Sequence, residues 1–281
     1  MTLSPKKSLG QHFLHDENIA RKIITYLDPG IPLVLEIGPG KGILSKYLLE
    51  DPRFDPRFIE VDRESVAYLK ERYPAITDKL IQEDFLKFDL ESIFFSRVSG
   101  HTEPGDRKAE TPLPFRGGAG RGVAIIGNFP YNISSRILFR VFENRRLVSG
   151  VIGMFQKEVA GRIASPPGTR EYGILSVLLR AFYDIDYLFT VNETVFTPPP
   201  RVKSAVIRLR RNSAIHLDCD ENLWLKIVKT AFNQRRKTLR NSLRPLGIDP
   251  PSGWSDPLFD RRPEQLSVAE FISLTGLFRA E

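Results

Sequence analysis

Hydrophobic residues in the first half of the chain alternate between short continuous runs and runs with helical spacing. Residues 33–37 are apolar except for Glu36, which predicts a strand buried on both faces of a parallel sheet. Helical spacing in residues 16–27, and shorter apolar runs at 57–61 and 123–127, predict further helices and strands around it. This alternation predicts an α/β fold built on a doubly wound, Rossmann-like sheet.

The second half of the chain continues the sheet and then changes character. Apolar runs predict strands at 150–155, 184–191 and 205–210, and we expect the last two to form an antiparallel edge. After these strands, helical spacing predominates. We therefore predict two domains, a sheet domain over residues 1–211 and a small helical domain over residues 212–281.

Residues 96–122 interrupt this organisation. They contain six glycines, three prolines and mixed charges, with little apolar surface that a core could bury. The segment predicts a flexible insertion before the strand at 123–127.

The charge balance indicates the kind of partner. The chain has a net charge of +7 and a sequence pI of about 9.5, which favours nucleic acid ahead of an acidic membrane surface. A hydrophobic share of 41% excludes a largely disordered chain. Cys219 is the single cysteine, which excludes an internal disulfide, and we expect no metal site. No apolar run is long enough to span a membrane, so we expect a cytoplasmic protein.

Three features at successive predicted strand ends indicate a nucleoside cofactor. Gly38 and Gly40 lie in the loop 38–42 between a buried strand and a helix, where backbone amides can approach a ligand closely. The loop lacks the third glycine of a dinucleotide fingerprint, which disfavours NAD. Glu60 can accept hydrogen bonds from ribose hydroxyls, and Asp84 from an adenine amine. Each feature alone also fits a simpler structure: a tight turn, a solvated acid or a helix N-cap.

Four segments together resemble a known family over nearly the whole chain. They are Ser-Leu-Gly-Gln-His-Phe-Leu at 8–14, Glu-Ile-Gly-Pro-Gly at 36–40, Gly-Asn-Phe-Pro-Tyr-Asn-Ile-Ser at 127–134 and Val-Phe-Thr-Pro-Pro-Pro-Arg-Val-Lys-Ser at 195–204. This combination resembles the ribosomal RNA adenine dimethyltransferases. The resemblance implies a class I methyltransferase fold and S-adenosylmethionine as methyl donor. The implied substrate is two adjacent adenines near the 3′ end of 16S ribosomal RNA in small-subunit precursors, and we expect a monomer.

The resemblance also implies which residues form the two halves of the site. The implied cofactor contacts are His12, Leu14, Gly38, Gly40, Glu60, Asp84 and Asn128. The implied catalytic residues are Asn128, Phe129, Pro130, Tyr131 and Phe196, the last as a second stacking surface. His12 departs from the family pattern, because many relatives have asparagine there. Without the resemblance, Phe196 would be assigned to the core beside the proline run.

The implied chemistry explains the choice of residue types. Adenine N6 is a poor nucleophile because its lone pair is delocalised into the ring. In similar motifs, the side-chain oxygen of Asn128 and the carbonyl of Phe129 accept the two amine hydrogens, and Tyr131 stacks on the base. The methylated nitrogen is acidic enough to lose its proton to water, so no catalytic general base is expected. An adenine must leave its stack to reach such a site.

Residues 222–244 carry seven basic side chains and no acid, an arrangement that repels itself unless a polyanion is bound. The basic residues are Lys226, Lys229, Arg235, Arg236, Lys237, Arg240 and Arg244. The spacing of Arg236, Arg240 and Arg244 predicts one ridge along RNA phosphates. The alternative is a solvated basic face.

Two other functions stay open from the residues alone. One is a related methyltransferase that acts on large-subunit RNA and confers antibiotic resistance. The other is an assembly factor that acts mainly by binding ribosomal precursors. The intact motif at 128–131 favours catalysis, and the full set of segments favours the small subunit.

Overall fold

The structure, a computed structural model, describes residues 3–94, 122–250 and 253–278. The predicted insertion at 96–122 lies outside the described residues, apart from Gly122. The strands are β1 (Phe13–Leu14), β2 (Leu33–Ile37), β3 (Asp55–Ile59), β4 (Leu80–Ile81), β5 (Val123–Asn128), β6 (Val148–Gln156), β7 (Tyr183–Val191), β8 (Phe196–Thr197) and β9 (Ser204–Arg211). The α-helices are α1 (Glu17–Ile24), α2 (Ile43–Glu50), α3 (Arg63–Arg72), α4 (Ser134–Glu143), α5 (Lys157–Ala164), α6 (Ile174–Arg180), α7 (Glu221–Asn233), α8 (Leu239–Ser242) and α9 (Val268–Gly276). Short 3-10 helices cover Lys7–Leu9, Pro74–Lys79, Leu90–Phe94, Glu193–Val195, Arg244–Leu246, Pro257–Asp260 and Pro263–Gln265.

Seven strands form one sheet in the order β4, β3, β2, β5, β6, β9, β7. Neighbours among the first five strands are parallel, whereas β9 is antiparallel to both β6 and β7. The strand order reverses between β2 and β5, which opens a crevice at the carboxyl ends of these two strands. The predicted doubly wound sheet with an antiparallel edge is therefore confirmed.

One strand begins earlier than the hydrophobic pattern predicts. The pattern predicts 57–61, whereas β3 spans Asp55–Ile59 and pairs along its whole length with β2. Val61 extends the apolar run, but its side chain is 52% exposed and lies beyond the strand. Glu60 consequently follows the strand end, at the edge of the sheet where ligands bind.

Each face of the sheet has its own hydrophobic cluster. Helices α1, α2 and α3 bury one face, and α4 to α7 with α9 bury the other. Trp224 of α7 belongs to the second cluster, together with Phe142 of α4, and their ring centroids are 6.5 Å apart. The hydrophobic core therefore continues across residue 211, and the C-terminal helices pack directly on the helices of the sheet domain. The division into two domains stays a prediction.

The predicted basic ridge is wrong in its geometry. Arg236, Arg240 and Arg244 would share one face only in a continuous helix. The chain leaves helical geometry at Gln234, where φ is −123° and ψ is 45°, and α7 ends before it. Arg240 then belongs to the short helix α8, and Arg244 to the following 3-10 helix. The three arginines therefore lie on three separate segments.

Within residues 3–94, 122–250 and 253–278, no helix is long and apolar enough to cross a membrane. The same residues contain no group of three or more His, Cys, Asp or Glu side chains that could hold a metal ion.

Candidate active site

A cleft opens at the carboxyl ends of β2, β3 and β5, beside the glycine loop. Gly38 and Gly40 line it with positive φ angles of 65° and 55°, a conformation that other residues adopt only with strain. A Cβ added at Gly38 would meet no atom within 4 Å, so open space lies next to the backbone there. A Cβ at Gly40 would approach the Phe13 ring to 2.9 Å. The loop thus brings bare backbone to the cleft wall.

Glu60 is a buried carboxylate in the wall of this cleft, with only 4% of the residue exposed. Its Oε1 accepts the backbone N–H of Asp62 at 2.9 Å, and its Oε2 accepts the N–H of Gly40 at 3.2 Å. Burial raises the pKa of Glu60, and these backbone donors partly offset the increase. Each oxygen keeps a lone pair that a ligand hydroxyl can use.

Asp84 both stabilises a local turn and lines the cleft. Its Oδ1 accepts the N–H of Leu86 at 2.9 Å, and its backbone carbonyl accepts from Lys87, so it stabilises a turn. Asp84 also lines the cleft. The turn holds the carboxylate at the cleft wall and uses only part of its capacity to accept hydrogen bonds.

Asn128 ends β5, and a contact from the N-terminal segment fixes its side chain. Its Nδ2 donates a hydrogen bond of 2.7 Å to the backbone carbonyl of His12. A carbonyl can only accept, so the amide must present its nitrogen to His12. Oδ1 is then the atom that Asn128 has available for a ligand in the cleft, whose wall it forms.

His12 connects three parts of the site. Its Nδ1 lies 2.7 Å from the carbonyl oxygen of Pro198 and donates to it. Its ring stacks on Tyr131 with centroids 5.4 Å apart and an angle of 27° between the planes. The Tyr131 hydroxyl is 2.7 Å from Oγ of the buried Ser204, and burial raises the pKa of Tyr131. The tyrosine ring is thus held between contacts on its face and at its hydroxyl.

Residues 9–13, which we name the N-terminal strap, form one wall of the cleft. The strap ends in β1, which pairs with β8 in a small antiparallel sheet. Gly10 has a φ of 63°, and a Cβ there would lie 2.8 Å from Oδ1 of Asn132. The hydrophobic pattern gave no indication of this strap or of its pairing with β8, because each strand has only two residues.

Two of the residues implied by the resemblance have their side chains in the core. Leu14 and Phe196 are 4% and 2% exposed, lie in the cluster beneath α1 and α2, and do not line the cleft. The Phe196 ring is buried in this structure, which is the core placement that the residues alone also allowed, and its stacking role stays a prediction. Phe129 lines the cleft, but its ring is 1% exposed and packs edge-on against Phe155 at 5.1 Å. Pro130 also lines the cleft.

The basic residues of the C-terminal region fall into two groups. Arg240 donates to Asp260, at 2.6 Å, and to the carbonyl of Trp254, and Arg235 lies 3.8 Å from Glu264. The exposed members, with no ion pair to a described residue, are Lys226, Lys229, Arg236, Lys237 and Arg244. The charge available to a polyanion therefore comes from the second group.

Comparisons with known proteins agree with this architecture. One similar solved structure is the crystal structure of a dimethyladenosine transferase from Plasmodium falciparum. Its sequence is 23% identical to this chain, and the two structures have a TM-score of 0.69, with 94% of this chain and 96% of the other chain covered. It is 24% identical to a crystal structure of the 23S rRNA methyltransferase ErmE, with a TM-score of 0.61 over 94% and 99% of the two chains. At these identities the likeness shows a shared methyltransferase fold, as predicted.

Two curated relatives have a much higher sequence identity to this chain than these solved structures have. "Ribosomal RNA small subunit methyltransferase A" of Bacteroides thetaiotaomicron is 50% identical over 277 residues, 98% of this chain and 94% of the relative. The protein of the same name from Flavobacterium johnsoniae is also 50% identical, over 98% and 96% of the two chains. The family described as "Ribosomal RNA adenine dimethylase" matches residues 2–251. The chain therefore belongs to the ribosomal RNA adenine dimethylase family.

Proposed function

We propose that this protein transfers methyl groups from S-adenosylmethionine to the N6 amines of two adjacent adenines near the 3′ end of 16S ribosomal RNA, acting in the cytoplasm on small-subunit precursors. The observation that carries the proposal is the fixed amide of Asn128, with Oδ1 available in a cleft that also contains Glu60. Relatives about 50% identical over 98% of the chain are named for the small subunit. The large-subunit enzyme ErmE is 24% identical and shares the fold alone, so the large-subunit alternative is not favoured.

The cofactor half of the site consists of the glycine loop, Glu60 and Asp84. The open space beside Gly38 and the lone pairs left on the buried Glu60 fit a nucleoside whose ribose hydroxyls donate to the carboxylate. Asp84 would accept from the adenine amine of the cofactor. S-adenosylmethionine supplies a methyl group on a positively charged sulfur. The strap, with His12, would cover this ligand, whereas Leu14 can contribute only through its backbone.

The base half of the site consists of residues 128–131. Oδ1 of Asn128 and the carbonyl of Phe129 would accept the two N6 hydrogens of the target adenine and direct the nitrogen lone pair toward the methyl group. The Phe129 ring is anchored in the core, which fixes the backbone that carries this carbonyl. Tyr131 would stack on the base, in the orientation that His12 and Ser204 impose. After transfer, the proton leaves N6 for water.

RNA binding would use the exposed basic residues of the C-terminal region. Arg236, Lys237 and Arg244 are exposed, without an ion pair to any residue in the described part of the chain. Phosphate contacts of this kind position RNA without reading its sequence. They would hold the subunit while an unpaired adenine turns out of its stack into the cleft, a step that costs roughly a few kcal/mol.

The decisive experiment supplies S-adenosylmethionine with a labelled methyl group to purified small subunits that lack the modification. We expect label at N6 of adenines near the 3′ end of the small-subunit RNA. Large subunits from the same cells serve as the matched control and should stay unlabelled. Label in large-subunit RNA, or none in either subunit, would contradict the proposal.

A further inference from the structure

Three carboxylates follow β3 at alternate positions, Glu60 and Asp62 before α3 and Glu64 in its first turn, and two of them pair with a lysine that precedes the strap. Lys6 Nζ lies 2.5 Å from Oδ1 of Asp62 and 3.0 Å from Oε1 of Glu64. The third acid is Glu60, whose Oε1 accepts the backbone N–H of Asp62. The lysine is therefore linked, through a single residue, to the carboxylate in the cleft wall.

The electrostatics of Asp62 require such a partner. Its side chain is only 4% exposed, whereas that of Lys6 is 34% exposed. Burial acts to raise the pKa of Asp62, but hydrogen bonds from Lys6 and from Ser65 outweigh it and keep the pKa below its ordinary value. Without Lys6, a nearly buried negative charge would stand beside the buried Glu60 with one hydrogen-bond donor fewer.

Lys6 is also tied to the strap by its backbone. Its N–H donates to Oε1 of Gln11 at 2.8 Å, and its carbonyl accepts the N–H of Leu9 at 3.1 Å and that of Gln11 at 3.4 Å. Leu9 and Gln11 both line the cleft. The far end of the strap is held separately, by the bond from Asn128 to His12 and by the pairing of β1 with β8. The strap is thus attached at both ends, and beside Glu60 both Lys6 and the side chain of Gln11 hydrogen-bond to Asp62.

We propose that Lys6 is a positioning residue for the cofactor: it clasps the strap to Asp62 and Glu64 and so closes the ribose end of the cleft. The inference rests on the proposed function, because it takes the ligand beside Glu60 to be S-adenosylmethionine. A ligand held under the strap leaves only when one attachment opens. The clasp therefore sets the dissociation rate of the cofactor and of its demethylated product. It does not act at the reacting end of the cleft, where Asn128 lies.

The test compares Lys6→Met with Lys7→Met in the full-length protein. Lys7 is the next residue, is exposed and makes no ion pair with any described residue, so both variants lose one positive charge near the same place. Calorimetry with S-adenosylhomocysteine should give a Kd about tenfold higher for Lys6→Met, since a charge-assisted hydrogen bond to a nearly buried carboxylate is lost. Stopped-flow displacement should place most of this change in the dissociation rate. Lys7→Met should stay within about twofold of the unmodified protein.

Methylation assays separate positioning from a general loss of structure. In Lys6→Met the KM for S-adenosylmethionine should rise with the Kd, while kcat at saturating cofactor and the KM for small subunits change little. Lys6→Arg should restore most of the affinity, because a guanidinium can still bridge Asp62 and Glu64. If Lys6→Met does not fold, Glu64→Gln replaces it: Glu64 is 53% exposed, and we expect a rise in Kd of about two- to threefold.

Several outcomes would overturn the clasp. They are an unchanged Kd and dissociation rate in Lys6→Met, equal shifts in the Lys6 and Lys7 variants, or an unchanged Kd in Glu64→Gln when that variant carries the test. Failure of the proposed function looks different, since the wild-type protein would then either bind no S-adenosylhomocysteine or bind it without methylating small subunits. The two failures are therefore distinguishable in one set of measurements.

Discussion

Replacing Asn128 with alanine tests the centre of the proposed mechanism. The side chain has two predicted roles with different energies. Its Oδ1 accepts from the reacting amine, and loss of such a preorganised partner typically lowers turnover about 100- to 1000-fold, or roughly 3 to 4 kcal/mol. Its Nδ2 holds the strap through one neutral hydrogen bond of 2.7 Å to His12, worth about 1 kcal/mol.

These magnitudes predict a clear separation between catalysis and binding. In Asn128→Ala, single-turnover methylation of unmodified small subunits should slow by at least about 100-fold. The Kd for S-adenosylhomocysteine should rise only about fivefold, because Glu60 and the glycine loop still hold the ligand. Both quantities should be measured on the same folded sample, with the free energy of unfolding determined in parallel by urea denaturation.

Asn144→Ala is the matched control for this measurement. Asn144 also donates from Nδ2 to a backbone carbonyl, that of Arg140, at 2.9 Å, but it is the C-cap residue of α4 and does not line the cleft. It therefore reproduces the loss of a local hydrogen bond without touching the site. If Asn128→Ala methylates at a near-normal rate in its folded fraction, or loses no more activity than Asn144→Ala, Asn128 has no catalytic role.

Three further predictions concern charge. Glu60→Gln removes the negative charge and keeps one oxygen, which can accept from the N–H of Gly40 or of Asp62, while its NH2 group faces the other donor. Calorimetry should therefore show at least about tenfold weaker S-adenosylhomocysteine binding, and an unchanged Kd would remove Glu60 from the ribose site. Arg236→Ala should flatten the salt dependence of small-subunit binding by about 1 in the slope of log affinity against log salt concentration. Arg240→Ala breaks the ion pair with Asp260, so it should lower the free energy of unfolding and leave this slope nearly unchanged. Equal slopes for both variants would contradict this distinction. Burial raises the pKa of Glu36 to about 8, so its protonated form contributes stability that is complete below pH 4.5 and is lost as the pH rises to about 8. Glu36→Gln should abolish this loss of roughly a few kcal/mol in the free energy of unfolding. Urea unfolding that gives the same pH profile for the wild-type protein and the variant would refute this prediction.

The sequence predicted the part of the site that depends on the sheet. Carboxyl ends of parallel strands meet at one edge, so the glycine loop after β2, Glu60 after β3 and Asn128 at the end of β5 had to converge once the strands were recognised. An error of two residues in the bounds of β3 did not matter, because Glu60 still lies at the strand end. Strand order, not exact strand limits, decides which side chains share this cleft.

The parts that the sequence did not predict depend on contacts between distant segments. The bond from His12 to Pro198 joins residues 186 positions apart, and the bond from Lys6 to Asp62 joins residues 56 positions apart. Periodicity reports only on neighbours along the chain, so neither pair leaves a signal in it. The same limit explains Phe196, because its place in the core follows from the pairing of β8 with the distant β1 and from its packing in the cluster that also contains residues of α1.

The geometry also bears on position 12, where the resemblance implies asparagine in many members of the family. An asparagine side chain carries its amide nitrogen on Cγ, as histidine carries Nδ1, so either residue can place a donor near the carbonyl of Pro198. The bond of 2.7 Å seen here is therefore one that an asparagine at this position could also form. Histidine adds the ring that stacks on Tyr131 at 5.4 Å, a contact that asparagine lacks. The backbone carbonyl of residue 12, which orients Asn128, is the same with either side chain. The attachment of the strap and the orientation of Asn128 thus tolerate the exchange, and its effect should fall on the Tyr131 ring, the proposed stacking surface for the substrate base.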